Sequence, residues 1–223
     1  MNAAGEIVAR LRRLRNPRNI DGQRHYGIAS QAEQLGIPAS ALRAIARAHR
    51  RDHALALALW DTGIHDARVL ATLVEDPQQI TRRQAGQWVR ACDNWAQTDA
   101  LAFLLDRTPF AETQALAWTT RSAEFVKRTG FAMIAGMAVH RKELPDETFL
   151  RFLPVIAREA TDERHFVKKA VNWALRQIGK RHPRLRRAAI AEAKRIQQLD
   201  SRTARWIAAD ALRELRARQS RRA

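Results

Sequence analysis

Apolar residues recur at helical spacing along almost the whole of this chain, and no stretch shows sustained alternation of apolar and polar residues. A half-buried strand needs that period of two, whereas an amphipathic helix needs a period of 3.6. The pattern therefore speaks against a sheet and predicts an all-α fold. Helices are expected over 3–15, 30–35, 38–50, 52–60, 63–75, 77–91, 94–107, 109–118, 121–139, 145–160, 163–181, 183–198 and 201–219. Pro38, Pro77, Pro109, Pro145 and Pro183 fall at or near first turns, where the missing N–H costs nothing. Asn94 and Ser201 are the residue types that cap helix N-termini, and Gln97 three residues after Asn94 resembles a capping box. Residues 16–30, with Asn16, Pro17, Asn19, Asp21, Gly22 and Gly27, read as loop.

Short connections between successive amphipathic helices imply antiparallel helix pairs. Stacked pairs form an α-solenoid with a concave surface. Self-similarity is weak, so the repeats would be degenerate, and a compact non-repeating bundle fits the same pattern. The 223 residues suffice for a sizeable core in a single domain over 1–223. Within it, 1–30 would hold an N-terminal helix and loop, and 216–223 a frayed basic tail with Arg216, Arg218, Arg221 and Arg222.

The hydrophobic fraction of 46% excludes a disordered chain. Forty Lys and Arg against 23 Asp and Glu leave a net charge of +17. Such an excess repels itself in a compact chain and points to a polyanionic partner; the plain alternative is a basic protein with no nucleic-acid role. The excess is uneven. Residues 1–120 hold 15 basic and 12 acidic residues, and residues 121–223 hold 25 and 11, so the second half carries most of it. Cys92 is the single cysteine and lies in an apolar-periodic stretch, which predicts a buried structural thiol. No run of 18 apolar residues and no apolar signal core is present, so no membrane association is expected and a cytoplasmic location fits. The seven histidines are scattered, no metal-ligand site is read from them, and no glycine-rich phosphate loop is present.

Three helices carry side chains that do not suit a core. In 163–181, Val167, Ala170, Val171, Ala174, Leu175 and Ile178 form an apolar stripe. Trp173 lies opposite it with Lys169, Arg176 and Lys180. That grouping suits a phosphate-binding face with an aromatic for sugar or base contact. Alternatively, Trp173 covers a neighbouring helix and the lysine stems run past it. In 94–107, Leu101, Phe103, Leu104 and Leu105 point one way, and Trp95, Asp99, Ala102 and Asp106 share the other face. Trp95 and Asp99 are neighbours at i, i+4; on their own they equally describe a rim tryptophan beside an exposed aspartate. In 121–139, the sequence is apolar nearly all round after Arg128, so this helix should be central. A guanidinium there needs an anionic partner, since it cannot neutralise. An acidic side chain from a neighbouring helix or a DNA phosphate would serve equally.

These helices, with LGIPASALRAIAR (35–47), DNWAQTD (93–99), FVKRTGF (125–131) and FVKKAVNWALRQIGKRHP (166–183), make the chain similar to the AlkD-type DNA alkylation repair enzymes, glycosylases built from HEAT-like repeats. The resemblance runs from about Leu35 to the C-terminus. It implies a HEAT-like α-solenoid with a concave basic surface. The family's working set is a tryptophan and an aspartate four residues apart, an arginine, and a second tryptophan followed three residues later by an arginine. Trp95, Asp99, Arg128, Trp173 and Arg176 fill those positions. The family often has an aspartate after the first tryptophan, where Ala96 stands here. Tyr26 is the counterpart of an N-terminal aromatic near the DNA.

The implied activity is hydrolysis of the N-glycosidic bond of cationic N3- and N7-alkylated purines in duplex DNA. Asp99 would stabilise the oxocarbenium-like sugar and position water. Trp95 and Trp173 would pack on the deoxyribose. Arg128 would hold the backbone phosphate. Lys127, Lys169, Arg176, Lys180 and Tyr26 would bind DNA without reading sequence. The resemblance implies a monofunctional hydrolase with no cofactor and no metal, acting as a monomer. Some relatives bind unusual DNA structures without turnover. A non-catalytic binder of damaged or branched DNA and a protein–protein adaptor are therefore the alternatives.

Overall fold

The computed structural model describes residues 3–220, and every helix or strand assigned among them is an α-helix. In chain order these are α1 (Ala3–Arg13), α2 (Pro17–His25), α3 (Ala39–Ala46), α4 (His53–Asp61), α5 (His65–Val74), α6 (Arg82–Arg90), α7 (Trp95–Leu105), α8 (Ala111–Thr119), α9 (Glu124–His140), α10 (Asp146–Arg158), α11 (His165–Arg181), α12 (Pro183–Gln197) and α13 (Arg202–Ser220). They gather into two compact units, residues 1–109 with α1–α7 and residues 110–223 with α8–α13. Among the described residues, no helix is long and apolar enough to cross a membrane.

In the first unit α5 is the hub, packed against α3, α4 and α7. Its Ala67, Leu70, Ala71 and Val74 are wholly buried. Trp60 of α4 stacks face to face on Trp88 of α6, with ring centroids 4.1 Å apart and planes 3° from parallel. Arg68 of α5 lies over Trp60 at 5.3 Å.

Two segments of this unit depart from the expected pattern, and both do so through hydrogen bonds. Residues 17–25, expected as loop, form α2. The side chain of Asn16 caps it by accepting from the Asn19 amide at 3.3 Å, and Pro17 occupies the first turn. The residues that read as a loop are thus also helix starters. Gly36, at φ +71°, closes against this helix; a Cβ there would lie 2.5 Å from the Asn16 carbonyl oxygen. Residues 30–35, expected as helix, are irregular. Asp66, buried at the start of α5, accepts from the amides of Leu35 and Ile37, both at 2.7 Å. Burial works against its charge, but His65 and those two amides outweigh it and lower its pKa. A carboxylate that satisfies backbone donors in this way replaces the hydrogen bonds a helix would have made.

In the second unit α9 is buried continuously from Val126 to Ala138, as a helix apolar on all sides requires, and packs against α8 and α11. Gly130 lets the backbones of α8 and α9 approach closely: a Cβ there would stand 2.8 Å from the Ala115 carbonyl oxygen and 2.8 Å from the Thr119 amide. The apolar stripe of α11 is fully buried at all six positions the periodicity assigned. α13 packs on α11 and α12 and continues to Ser220, anchored by fully buried Leu215; Arg221 and Arg222 lie outside the described residues. Ser201 caps α13 by accepting from the Ala204 amide at 3.2 Å.

Candidate functional site

The residues singled out in the sequence fall in both units, with Tyr26, Trp95 and Asp99 in the first and Lys127, Arg128, Lys169, Trp173, Arg176 and Lys180 in the second.

In the first unit the start of α7 is built around its cap. The buried side chain of Asn94 accepts from the Gln97 amide at 3.1 Å. The adjacent Asp93 accepts from the Ser30 hydroxyl at 2.8 Å, the Gln31 amide at 2.6 Å and the Asn94 side-chain amide at 2.9 Å. Trp95 is the first residue of the helix, and its indole N–H donates to the Tyr26 carbonyl at 2.9 Å. Residues 26–31 are therefore tied to α7 at two points. Tyr26, whose spacing from the other aromatics is loose in the sequence, is brought next to Trp95 through its backbone, and its residue is 74% exposed. Asp99 follows one turn after Trp95, and both are half-buried.

The rest of that face differs from the expected pattern. Ala102 and Asp106, expected to share the outward side with Trp95 and Asp99, are fully buried, as are Leu101 and Leu105. α7 lies against both α5 and α6, so two neighbours cover it where a single apolar stripe anticipates one. Its first turns open to solvent, and Phe103 further along is half-buried. Cys92, just before this helix, is buried; desolvation pushes its thiol up to about 12, in keeping with a structural role.

In the second unit Arg128 is 6% exposed and donates from Nη1 to the Phe166 carbonyl at 2.7 Å. A backbone oxygen at the start of α11 is thus one partner of the guanidinium. Lys127, expected to contact DNA, is 9% exposed and held by Glu159 at 2.7 Å and Asp162 at 3.0 Å. Burial opposes ionisation of Asp162, yet hydrogen bonds from Arg164 and Lys127 prevail and bring its carboxyl to about 2.

The face of α11 opposite its apolar stripe is partly covered by α13. Arg176 pairs with Asp210 at 3.0 Å and with Glu214, and Lys180 pairs with Glu214 at 2.5 Å. Asn172 donates to the same Asp210 at 2.7 Å. Trp173 is half-buried on this helix, and Lys169 is exposed. His165, at the start of α11, has its pKa lowered by desolvation and then by the charges of Lys169, Lys168 and Arg128, which marks a positive neighbourhood.

One residue with the same character escaped the sequence reading. Trp206 of α13 is 39% exposed, with the ammonium groups of Lys168 and Lys169 5.7 and 5.6 Å from its ring centre. The rotation that sets Trp173 apart would have found it. Ala204, Ile207, Ala208, Ala211 and Leu215 form the buried stripe of α13, and Trp206 lies off it. Among the described residues no cluster of three or more His, Cys, Asp or Glu is placed to hold a metal ion.

A solved structure from a family of proteins related to the HEAT-like repeat DNA glycosylases, with affinity for branched DNA structures, has the same fold. The TM-score is 0.77 at 17% identity, over 94% of this chain and 94% of that one. No curated protein matches the sequence. The family model described as DNA alkylation repair enzyme matches residues 7–215, nearly the whole of both units. With its HEAT-like all-α architecture, the chain belongs to the DNA alkylation repair enzyme family.

Proposed function

We propose that this protein is a monofunctional DNA glycosylase that releases cationic N3- and N7-alkylated purines from duplex DNA, acting as a monomer. The observation that carries the reading is the start of α7, where an indole and a carboxylate stand one turn apart, both partly open to solvent, with the indole fixed by the Tyr26 carbonyl. An alkylated purine already carries positive charge and leaves without a strong general acid. The remaining barrier is charge development on the sugar, which a fixed anion stabilises. Asp99 takes that role and orients the attacking water. Trp95 offers an electron-rich face to the same sugar. In the second unit Arg128 is the phosphate ligand, Trp173 the second deoxyribose contact, and Lys169 a source of sequence-independent affinity.

Incubation with methylated duplex DNA is expected to release 7-methylguanine and 3-methyladenine. Asp99→Asn should slow release by about 10²-fold or more and leave duplex affinity nearly unchanged. Equal losses in rate and affinity would remove Asp99 from catalysis, and no release by the native protein would sink the glycosylase reading.

A second reading is a non-catalytic protein that binds branched DNA. It is favoured by the shared fold with a family of that affinity and by the ion pairing of Lys127, Arg176 and Lys180. Tight binding to a four-way junction without base release from any methylated substrate would establish it.

A further inference from the structure

The first unit holds a cavity of about 650 Å³ that has no part in the chemistry above. Arg43, Arg47, Arg50, Arg51 and Arg107 line it, and Glu75 is its one acidic residue. Five guanidinium groups around one opening repel one another unless anions lie between them. The chain supplies only part of those anions: Asp106 stands 3.9 Å from Arg107 Nε, and Glu75 lines the opening. Glu75 is turned to other partners: one carboxylate oxygen accepts from His53 Nδ1 at 2.7 Å and the Asp76 amide at 2.7 Å, and the other from the Gln84 side chain at 2.8 Å. Among the described residues, Arg43, Arg47 and Arg50 make no side-chain hydrogen bond and no ion pair. Arg51 has Asp76 within electrostatic reach, and Arg107 donates to the Phe103 carbonyl at 2.9 Å.

The cluster is arranged by the backbone. Arg43, Arg47 and Arg50 are spaced i, i+4, i+7, the repeat of one helix face. α3 ends at Ala46, but the bonds from Ala48 to Ile45 and from His49 to Ala46 continue the winding in tighter turns. Arg51 follows at φ +60°, the left-handed region that disfavours a side chain of this size. A glycine or asparagine would sit there more easily. An arginine at this position aims a fifth charge into the cavity.

We infer that this cavity binds the phosphate groups of a nucleic-acid strand, as a second contact beyond Trp95 and Asp99; the inference builds on the DNA-binding part of the proposed function. Guanidinium groups match phosphate oxygens in pairs, and no aromatic ring lines the cavity to hold a base. Arg107 lies eight residues beyond Asp99 on the same helix and its C-terminal turn. That is about 12 Å along the axis, or roughly three to four nucleotides of strand rise. The phosphates taken up would be those a few nucleotides from the lesion.

The test compares the full chain with Arg43→Gln/Arg47→Gln/Arg50→Gln, measuring affinity for methylated duplex DNA from low to high salt and base release at saturating DNA. The expected result is weaker binding and a salt slope shallower by about 2–3, with release at saturation unchanged. An unaltered slope and affinity overturn the inference, even if the native chain binds tripolyphosphate and the variant does not, since the cavity would then serve a free phosphate. Loss of release with an unaltered slope also overturns it. If the native chain shows no salt-dependent DNA affinity, both this inference and the proposed function fall. If it binds and releases base while the triple variant behaves identically, only this inference falls. Arg51→Gly is the independent check, expected to weaken DNA binding while raising the unfolding midpoint, because glycine relieves the left-handed turn. A raised midpoint with full affinity counts against the cavity as a binding site.

Discussion

Lys127 illustrates how one side chain changes meaning once its neighbours are known. In the sequence it is a cation beside Arg128. In the structure it is buried between Glu159 and Asp162, which begin 32 residues further along the chain. A buried ammonium without such partners would be strongly destabilising. Periodicity sees only the helix a residue stands on, so acids delivered by another element were invisible to it. The same cause hid the pairing of Arg176 and Lys180 with Asp210 and Glu214 of α13. The ion pair has a pH signature. The carboxyl of Asp162 is depressed from its ordinary 3.8 to about 2 when folded. Its contribution is complete above about pH 4 and is lost as pH falls towards 2, where the unfolded chain takes up the proton first. A depression of this size corresponds to about 2 kcal/mol. Urea unfolding at pH 7 and pH 2 should show Asp162→Asn destabilised by that order at the higher pH and by well under about 1 kcal/mol at the lower one.

At the level of elements, twelve of the thirteen helices were legible from apolar periodicity, and some of their ends are chemically marked as well. Asn94, Thr81 and Asp52 each accept from the amide three residues on, and Pro183 opens α12. The misplaced pair, α2 and the irregular segment after it, was lost to long-range hydrogen bonds. Asp66 and Asp93 draw residues 30–37 away from helical geometry, and neither lies within 25 residues of that segment. The opening of α7 bears on the site itself, since Trp95 and Asp99 are carried by the turns that Asn94 caps. Asn94→Ala should cost about 1 kcal/mol, seen as a lower unfolding midpoint, and should slow base release by loosening the first turn. A lower midpoint with unaltered release would mean that the tie between Trp95 and Tyr26 holds the turn without its cap.

Across the whole molecule, net charge pointed to a polyanion and to the second half as the positive surface. The structure shows which of those cations are already matched. The net excess stays with the second unit, but its Lys127, Arg176 and Lys180 are matched by Asp162, Asp210 and Glu214, whereas the arginine cavity lies in the unit closer to neutral. A count of charges cannot register which of them are already matched. The fold could be read from periodicity and the family from four motif segments. The arrangement of cations could not, because it depends on which helices face one another. The buried thiol of Cys92 has one more consequence for a protein of this family. Alkylating agents attack thiolates, and burial pushes the Cys92 thiol up to about 12, so it stays protonated at neutral pH. A protein of an alkylation-repair family thus carries its single cysteine in a form that the damaging chemistry does not reach. Iodoacetamide should leave the native chain unmodified and label it on unfolding; rapid labelling of the folded protein would show that the first unit opens around Cys92.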